Sequence, residues 1–126
     1  MNKLFWFLFS LSLFFVSCAK TDDVVLPNNF SGNWYNSESS SVTGVSTYPV
    51  AIEAVNQPEI LFAYLYGFHT KISAITTNNN FEIPQQIIEG NSVSGSGQMI
   101  NSTHINMVYI VDNGLFRDSV VATLVK

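Results

Sequence analysis

The side chains capable of catalytic or metal chemistry are few in this sequence and widely spaced. The two histidines, His69 and His104, lie far apart in the chain, and neither has a cysteine or an acid at the spacing of a zinc site. Glu53 and Glu82 are the acids that fall within predicted strands. Each is a single acid on an alternating strand. Two carboxylates that hydrolyse a glycosidic bond must instead face each other across a cleft. We therefore expect no metal site and no catalytic pair of carboxylates.

Serine is abundant, but no serine lies in a nucleophile motif. Ser94-Gly95-Ser96-Gly97 has letters in common with the Gly-x-Ser-x-Gly elbow, yet a strand is predicted after it where the elbow needs a helix. The same run lacks the lysine and the following helix of a phosphate-binding loop. Because no base and orienting acid accompany a serine, we predict that the protein is not an enzyme and that it uses no cofactor.

Cys18 is the only cysteine of the chain, and it directly follows the pattern of an export signal. Lys3 supplies a positive charge, and the run from Leu4 to Val16 is apolar except for two serines. This run is well short of the roughly 20 residues that a spanning helix needs. We therefore predict that residues 1–17 are a cleaved signal peptide. A lone cysteine has no partner for an internal disulfide, although an ordinary secretory signal with an incidental cysteine is the alternative.

Phe15-Val16-Ser17-Cys18 resembles the lipobox of bacterial lipoproteins, in Phe and Ser variants like those common in Bacteroidetes. The resemblance implies that Cys18 becomes the N-terminus and carries a thioether-linked diacylglycerol, usually with an acylated amine. Two or three acyl chains give stable membrane anchoring. The protein is then an outer-membrane lipoprotein, either on the cell surface or facing the periplasm. Residues 18–29 would form a lipidated tether, and residues 30–126 a single all-β domain.

The domain has the composition of an acidic β-protein. The chain carries a net charge of −4 with no cluster of basic residues, so nucleic acid is a poor candidate partner. Val, Ile, Phe and Tyr form short runs separated by Ser, Thr, Asn and Gly, which is typical of strands joined by turns. Residues 54–65 come closest to a helical pattern, but Pro58 interrupts them. We predict an all-β fold.

About eight short strands are expected. The first opens at Gly32-Asn33-Trp34, and residues 37–44 are so rich in serine that they are predicted to be a mobile loop. Residues 60–68 are apolar on both faces and are predicted to be one strand, followed by another at residues 69–76. Gly95 and Gly97 remove side chains from one face of a later strand and so allow close approach or sharp coiling. The last strand faces inward either at Val121, Thr123 and Val125 or at Val120, Ala122 and Leu124.

Sequential hairpins favour a small antiparallel up-and-down β-barrel, with a β-sandwich as the alternative. Gly32-Asn33-Trp34 resembles the Gly-x-Trp signature of lipocalins and their calycin relatives, which implies that Trp34 plugs the closed end of a barrel. Ile83-Pro84-Gln85-Gln86, Ser94-Gly95-Ser96-Gly97 and Ala122-Thr123-Leu124 resemble motifs of a group of small Bacteroidetes lipoproteins of unknown function. That resemblance implies a location and a fold, without an activity.

We therefore expect a lipid-anchored, non-catalytic binding module of the cell envelope. Its partners would be the membrane, through Cys18, and a small apolar ligand, a glycan or an envelope protein at the barrel mouth. The candidate ligand contacts are Trp34, Tyr48, Tyr64 and Tyr66, because aromatic side chains offer an apolar body and, in tyrosine, a polar tip. The alternative is a protein-interaction or inhibitor lipoprotein with a filled barrel and no small-molecule ligand.

Overall fold

Eight strands follow one another along the chain, and each pairs antiparallel with the next. The computed structural model describes residues 27–126, in which one helical turn precedes the strands and a 3-10 turn, Leu65–Gly67, interrupts them. The bounds are α1 Pro27–Phe30, β1 Gly32–Ser40, β2 Gly44–Ala54, β3 Glu59–Ala63, β4 Ile72–Thr77, β5 Asn80–Ile88, β6 Asn91–Asn101, β7 His104–Asp112 and β8 Arg117–Val125. Strand β8 pairs back with β1 and closes the barrel. The predicted all-β barrel is confirmed, and the sandwich is excluded.

Closure depends on strands that alternate between the interior and solvent. In β1 the inward positions begin with Trp34 and continue at every second residue to Ser40. In β8 they begin with Asp118 and continue to Leu124, so the second of the two predicted inward faces, Val120, Ala122 and Leu124, is the correct one. A side-chain period of two places every second residue in the core. The same alternation holds in β7, whose inward residues are Ile105, Met107, Tyr109 and Val111.

Large apolar side chains fill one end of the barrel, which we call the closed end. Trp34 is 2% exposed, and its indole Nε1 donates a hydrogen bond to the Phe30 carbonyl oxygen at 2.8 Å. Phe30 makes an edge contact with Phe81, with ring centroids 5.8 Å apart. The Lys126 ammonium lies 4.8 Å from the centroid of the Trp34 ring. Helix α1 and Trp34 thus fill the barrel interior at this end.

Gly95 and Gly97 occupy inward positions of β6 and permit the close approach that was predicted. A Cβ atom on Gly97 would run into the Phe81 ring and the Met107 side chain. A Cβ atom on Gly95 would collide with the backbone of β7 at Val108 and Tyr109. Both glycines are therefore required by packing inside a small barrel, where larger side chains on every strand would not fit.

The prediction of a mobile loop at residues 37–44 is wrong. Residues 37–40 continue β1 and pair with both β2 and β8, and Gly44 already begins β2, so the connection is residues 41–43. The polar composition was misleading because Glu38 and Ser40 point into the barrel, where they are buried and hydrogen-bonded. A polar strand can be fully ordered when its buried side chains find partners.

The prediction of a single strand over residues 60–68 is wrong beyond Ala63, and β4 begins at Ile72 instead of residue 69. Tyr64 and Tyr66 both have positive φ angles, 71° and 60°, which ends the extended conformation. Leu65 and Phe68 are nevertheless buried, so the apolar content of this segment serves a loop that folds over the barrel. Period-two reasoning could not separate this loop from a strand, since residues 60–68 are apolar at both odd and even positions.

The connections at the other end form what we call the mouth. Because consecutive strands run in opposite directions, the mouth collects residues 41–43, 64–71, 89–90 and 113–116. The chain enters the barrel at the closed end through α1, which packs against β2 and β3. The predicted tether, residues 18–29, lies mostly outside the described residues, and its last three residues belong to α1. Among residues 27–126 there is no helix with the length and apolarity needed to cross a bilayer.

Candidate functional site

Two carboxylates, Glu38 and Asp118, lie inside the barrel just below the mouth. Glu38 is 7% exposed and Asp118 is 1% exposed. Their positions follow from the alternation of β1 and β8, which places both side chains on the inner face of neighbouring strands. Burying ionised groups is costly unless they are hydrogen-bonded or paired. The mouth is therefore the part of the interior where the barrel departs from an apolar core.

Asp118 is the centre of a hydrogen-bond network that joins three parts of the chain. Its Oδ2 accepts hydrogen bonds from the hydroxyls of Ser40 and Tyr66, each at 2.6 Å. Its Oδ1 accepts the Ser41 hydroxyl at 3.1 Å and the Val42 N–H at 3.3 Å. Burial acts to raise the pKa of Asp118, but these hydrogen bonds outweigh it and hold the pKa below its ordinary value. Asp118 is therefore ionised and fully engaged in holding the β1–β2 turn and Tyr66.

Residues 64–71 form a lid across the mouth. The Tyr66 N–H donates a hydrogen bond to the Tyr48 hydroxyl oxygen at 2.6 Å. At the far end of the lid, the Glu89 carboxylate accepts hydrogen bonds from the N–H groups of His69, at 2.7 Å, and Thr70, at 2.9 Å. Left-handed φ angles at two tyrosines are uncommon and persist when neighbouring contacts fix them. The lid is therefore held from both sides, by Tyr48 and by Glu89.

Glu38 is held by neutral donors. Its Oε1 accepts the Tyr109 hydroxyl at 2.6 Å and the Asn36 Nδ2 at 3.0 Å. Burial, followed by the neighbouring Tyr48 and Glu38, raises the pKa of Tyr109 far above its ordinary value. Burial and then the Glu38 charge likewise raise the pKa of Tyr48. Both tyrosines stay protonated at neutral pH, so Tyr109 remains a donor to Glu38.

A cleft of about 450 Å³ opens between the lid and the inner wall of the mouth. Its lining residues come from β1, β2, the turn between them and the lid: Glu38, Thr43, Ser46, Tyr48, Tyr66 and Gly67. Within residues 27–126 the one salt bridge joins Lys71 and Glu53 on the outer surface, at 2.6 Å. Neither Glu38 nor Asp118 has an ion-pair partner in that range. The cleft is thus an aromatic and hydroxyl-lined space with an uncompensated carboxylate in its wall.

The candidate ligand contacts are divided between the two ends of the barrel. Tyr48 and Tyr66 meet at the mouth and line the cleft. Tyr64 belongs to the same lid and is exposed. Trp34 lies at the closed end, where it packs under α1. Cys18 lies outside the described residues, so its lipidation stays a prediction.

The groups considered for chemistry do not meet. His69 and His104 are both exposed, on the lid and at the start of β7 respectively. Glu53 and Glu82 are exposed on the outer surface. In the described part of the chain, no three His, Cys, Asp or Glu side chains are grouped to hold a metal ion.

Sequence reasoning missed both buried carboxylates of the mouth. Glu38 falls within residues 37–44, for which the sequence predicts a loop. The inward face of the last strand is left open by the sequence, so Asp118 is not placed inside or outside the barrel. The signal that could have found them is the alternation itself. Counting in steps of two from Trp34 reaches Glu38, and counting back in steps of two from Val120 reaches Asp118.

Solved β-barrels are similar to this chain in fold. One is a redesigned β-barrel, with 10% identity and a TM-score of 0.59 over 84% of this chain and 98% of that chain. Another is EF1p2_mFAP2b bound to DFHBI, with 11% identity and a TM-score of 0.58 over 79% of this chain and 94% of that chain. Neither a family model nor a curated protein matches the chain. The likeness shows the barrel fold, and the resemblances to lipocalins and Bacteroidetes lipoproteins stay predictions.

Proposed function

We propose that this protein is a non-catalytic binding module whose small ligand occupies the mouth cleft. The observation that carries the proposal is the cleft of about 450 Å³, which brings together Glu38, Tyr48 and Tyr66 over an interior that is otherwise filled by side chains. Ligand sites are typically concave spaces of this order, with a few convergent polar groups. The similar barrel EF1p2_mFAP2b is bound to DFHBI, which supports a ligand-binding role for the fold. The cleft lining contains one carboxylate and no histidine, which favours binding over catalysis.

A tryptophan placed in the cleft tests this proposal. Ser46 is on the inner side of β2 and lines the cleft, so the Ser46→Trp side chain should occupy the ligand's space. We expect binding of any small ligand found by NMR screening to weaken at least about tenfold, or about 1.4 kcal/mol, because the indole would occupy the ligand's space. The matched control is Val45→Trp, at the adjacent and exposed position. Equal binding by both variants would place the ligand elsewhere and contradict the proposal.

An interaction with an envelope protein is the second candidate function. Exposed apolar side chains stand at the tips of the mouth loops, with Leu115 89% exposed and accompanied by Phe116 and Val42. Clustered apolar side chains on a surface are typical of interaction sites. The same variant separates the two functions, because Ser46→Trp excludes a ligand from the cleft and leaves these loop tips unchanged.

We further propose that the mouth is displayed away from a membrane by the lipid on Cys18. The support is the position of α1, since the chain enters the barrel at the closed end, opposite the mouth. A tether attached there would leave the cleft accessible in the envelope.

Anchoring is tested with Cys18→Ala. We expect the native protein to fractionate with membranes and to have an intact mass that begins at Cys18 and includes acyl chains, because two or three chains give stable anchoring. The variant should be released or left unprocessed. A native protein that is soluble and unacylated would contradict the anchoring without affecting the mouth proposal.

A further inference from the structure

We propose that the ligand of the mouth cleft is a small organic cation, a primary or secondary ammonium that binds to Glu38. This inference rests on the proposed function, which gives the cleft a ligand of unspecified chemistry. Its support is the charge, the unused acceptor and the aromatic rings at the cleft.

The wall of the cleft carries a negative charge without a counterion. Glu38 is more than nine-tenths buried, and the groups that contact its Oε1, Tyr109 and Asn36, are neutral. None of the described lysines and arginines contacts Glu38. Lys71 pairs with Glu53, Lys126 lies at the closed end against Trp34 and the Ser31 carbonyl, and Arg117 is exposed at the start of β8. A buried ionised group is stabilised by hydrogen bonds or by a partner of opposite charge, and a cationic ligand would supply the second of these.

An unused hydrogen-bond acceptor lies next to Glu38 in the barrel interior. Asn36 occupies the preceding inward position of β1 and is fully buried, and its Nδ2 donates to Glu38. Its Oδ1 has no hydrogen-bond partner. The hydroxyls of Tyr109 and Tyr66 already donate, to Glu38 and Asp118 respectively. The Glu38 carboxylate and the Asn36 amide oxygen are complemented by a ligand that donates hydrogen bonds, and an ammonium offers donors and no acceptor.

Two aromatic side chains, Tyr48 and Tyr66, line the cleft. The Tyr66 ring packs in turn on two buried rings, with centroids 6.1 Å from Tyr109 and 5.3 Å from Phe68. The faces of such rings attract organic cations. A hard metal ion is a poorer fit, because it takes six or more oxygen ligands, and in the described range no three acidic, histidine or cysteine side chains come together. These contacts favour an organic cation over a metal ion.

The test compares three probes of similar size on the purified full chain, followed by NMR chemical shifts of the lid and β1. The probes are n-butylammonium, 1-butanol and butyrate. We expect n-butylammonium to bind at least about tenfold more tightly than 1-butanol, since hydrogen bonds between ionised partners are about twice as strong as those between neutral ones. Butyrate should bind most weakly, because its carboxylate is repelled by the carboxylate of Glu38.

Glu38→Gln gives the second measurement. We expect it to weaken n-butylammonium about tenfold or more and to leave 1-butanol unchanged, since glutamine keeps the shape of the side chain without its charge. The matched control is Glu82→Gln, which changes the net charge equally at an exposed position.

The outcomes separate the two proposals. If 1-butanol binds at the mouth as tightly as n-butylammonium, or if Glu38→Gln behaves like Glu82→Gln, the cation inference is wrong while the binding function stands. Should no probe shift the mouth residues and Ser46→Trp leave ligand binding intact, the proposed function itself is wrong, and the inference fails with it.

Discussion

Trp34→Ala is expected to lower the free energy of unfolding by about 3–5 kcal/mol, the range measured when a large buried aromatic is truncated. Trp34 is among the largest fully buried side chains, and it closes the barrel end beneath α1. Its loss leaves a cavity, removes the hydrogen bond to the Phe30 carbonyl and takes away the ring on which Lys126 lies. Urea denaturation followed by far-UV circular dichroism measures the change.

The matched control is Tyr35→Ala, at the next residue of the same strand. Tyr35 faces solvent and is 55% exposed, so its truncation should change the unfolding free energy by less than about 1 kcal/mol. Equal decreases in the unfolding free energy at the two positions would mean that the burial of Trp34 does not stabilise the barrel.

Asp118→Ala is expected to have the second largest effect on stability, a loss of about 3 kcal/mol. Hydrogen bonds to a charged group contribute about 1.5–3 kcal/mol, and removing one partner leaves buried donors unsatisfied. Here the buried donor is Ser40, while Ser41 and Tyr66 are more accessible donors, and the three connect the β1–β2 turn and the lid to β8. Hydrogen exchange should show faster exchange of the Tyr66 and Val42 amides than in the native protein.

The same variant should change how stability depends on pH. The pKa of Asp118 is lower in the folded protein than in the unfolded chain, so its stabilising contribution is present above its unfolded pKa of about 3.9 and is lost as the pH falls through the folded value. The unfolding free energy of the native protein should therefore decrease below about pH 4 more steeply than that of Asp118→Ala. Denaturant titrations between about pH 2 and 6 measure this difference.

The pKa of Tyr66 gives a second measurement of the Asp118 contact, at alkaline pH. Burial, then the hydrogen bond and charge of Asp118 and the charge of Glu38, raise the pKa of Tyr66 to about 12. In Asp118→Ala the pKa of Tyr66 should move down toward its ordinary value of about 10 without reaching it, because burial and Glu38 remain. An NMR titration of the ring measures it. Glu82→Ala is the control, and an unchanged Tyr66 pKa in Asp118→Ala would contradict the contact.

Local sequence pattern was enough to predict the barrel. Alternation in β7 and β8, turn residues between strands and the glycines of β6 all act over a few residues, and each corresponds to the observed structure. Sequential hairpins bring neighbouring strands together without a long connection, so the order of the strands followed from the order of the chain.

The mouth was harder to predict because its contacts join distant parts of the chain. Ser40 and Asp118 touch across the pair of strands that closes the barrel, and Tyr66 reaches Asp118 from the lid. The serine-rich end of β1 has the composition of a loop, and only its pairing with β2 and β8 shows that it is a strand. The lid has the composition of a strand, and only the φ angles of Tyr64 and Tyr66 show that it is a loop.

The sequence by itself determined the fold class and the eight strands, because hydrophobic periodicity and turn chemistry depend on near neighbours. The place of Trp34 at the closed end was an expectation from the resemblance of Gly32-Asn33-Trp34 to the lipocalin signature. The sequence also carried the prediction of an export signal and of lipidation at Cys18. The tertiary structure alone decided which acids are buried, since Glu38 and Asp118 gain their donors only when β1 meets β8 and the lid folds over them. Burial of a charge depends on hydrogen bonds from the whole surrounding fold, and no short stretch of sequence contains that information.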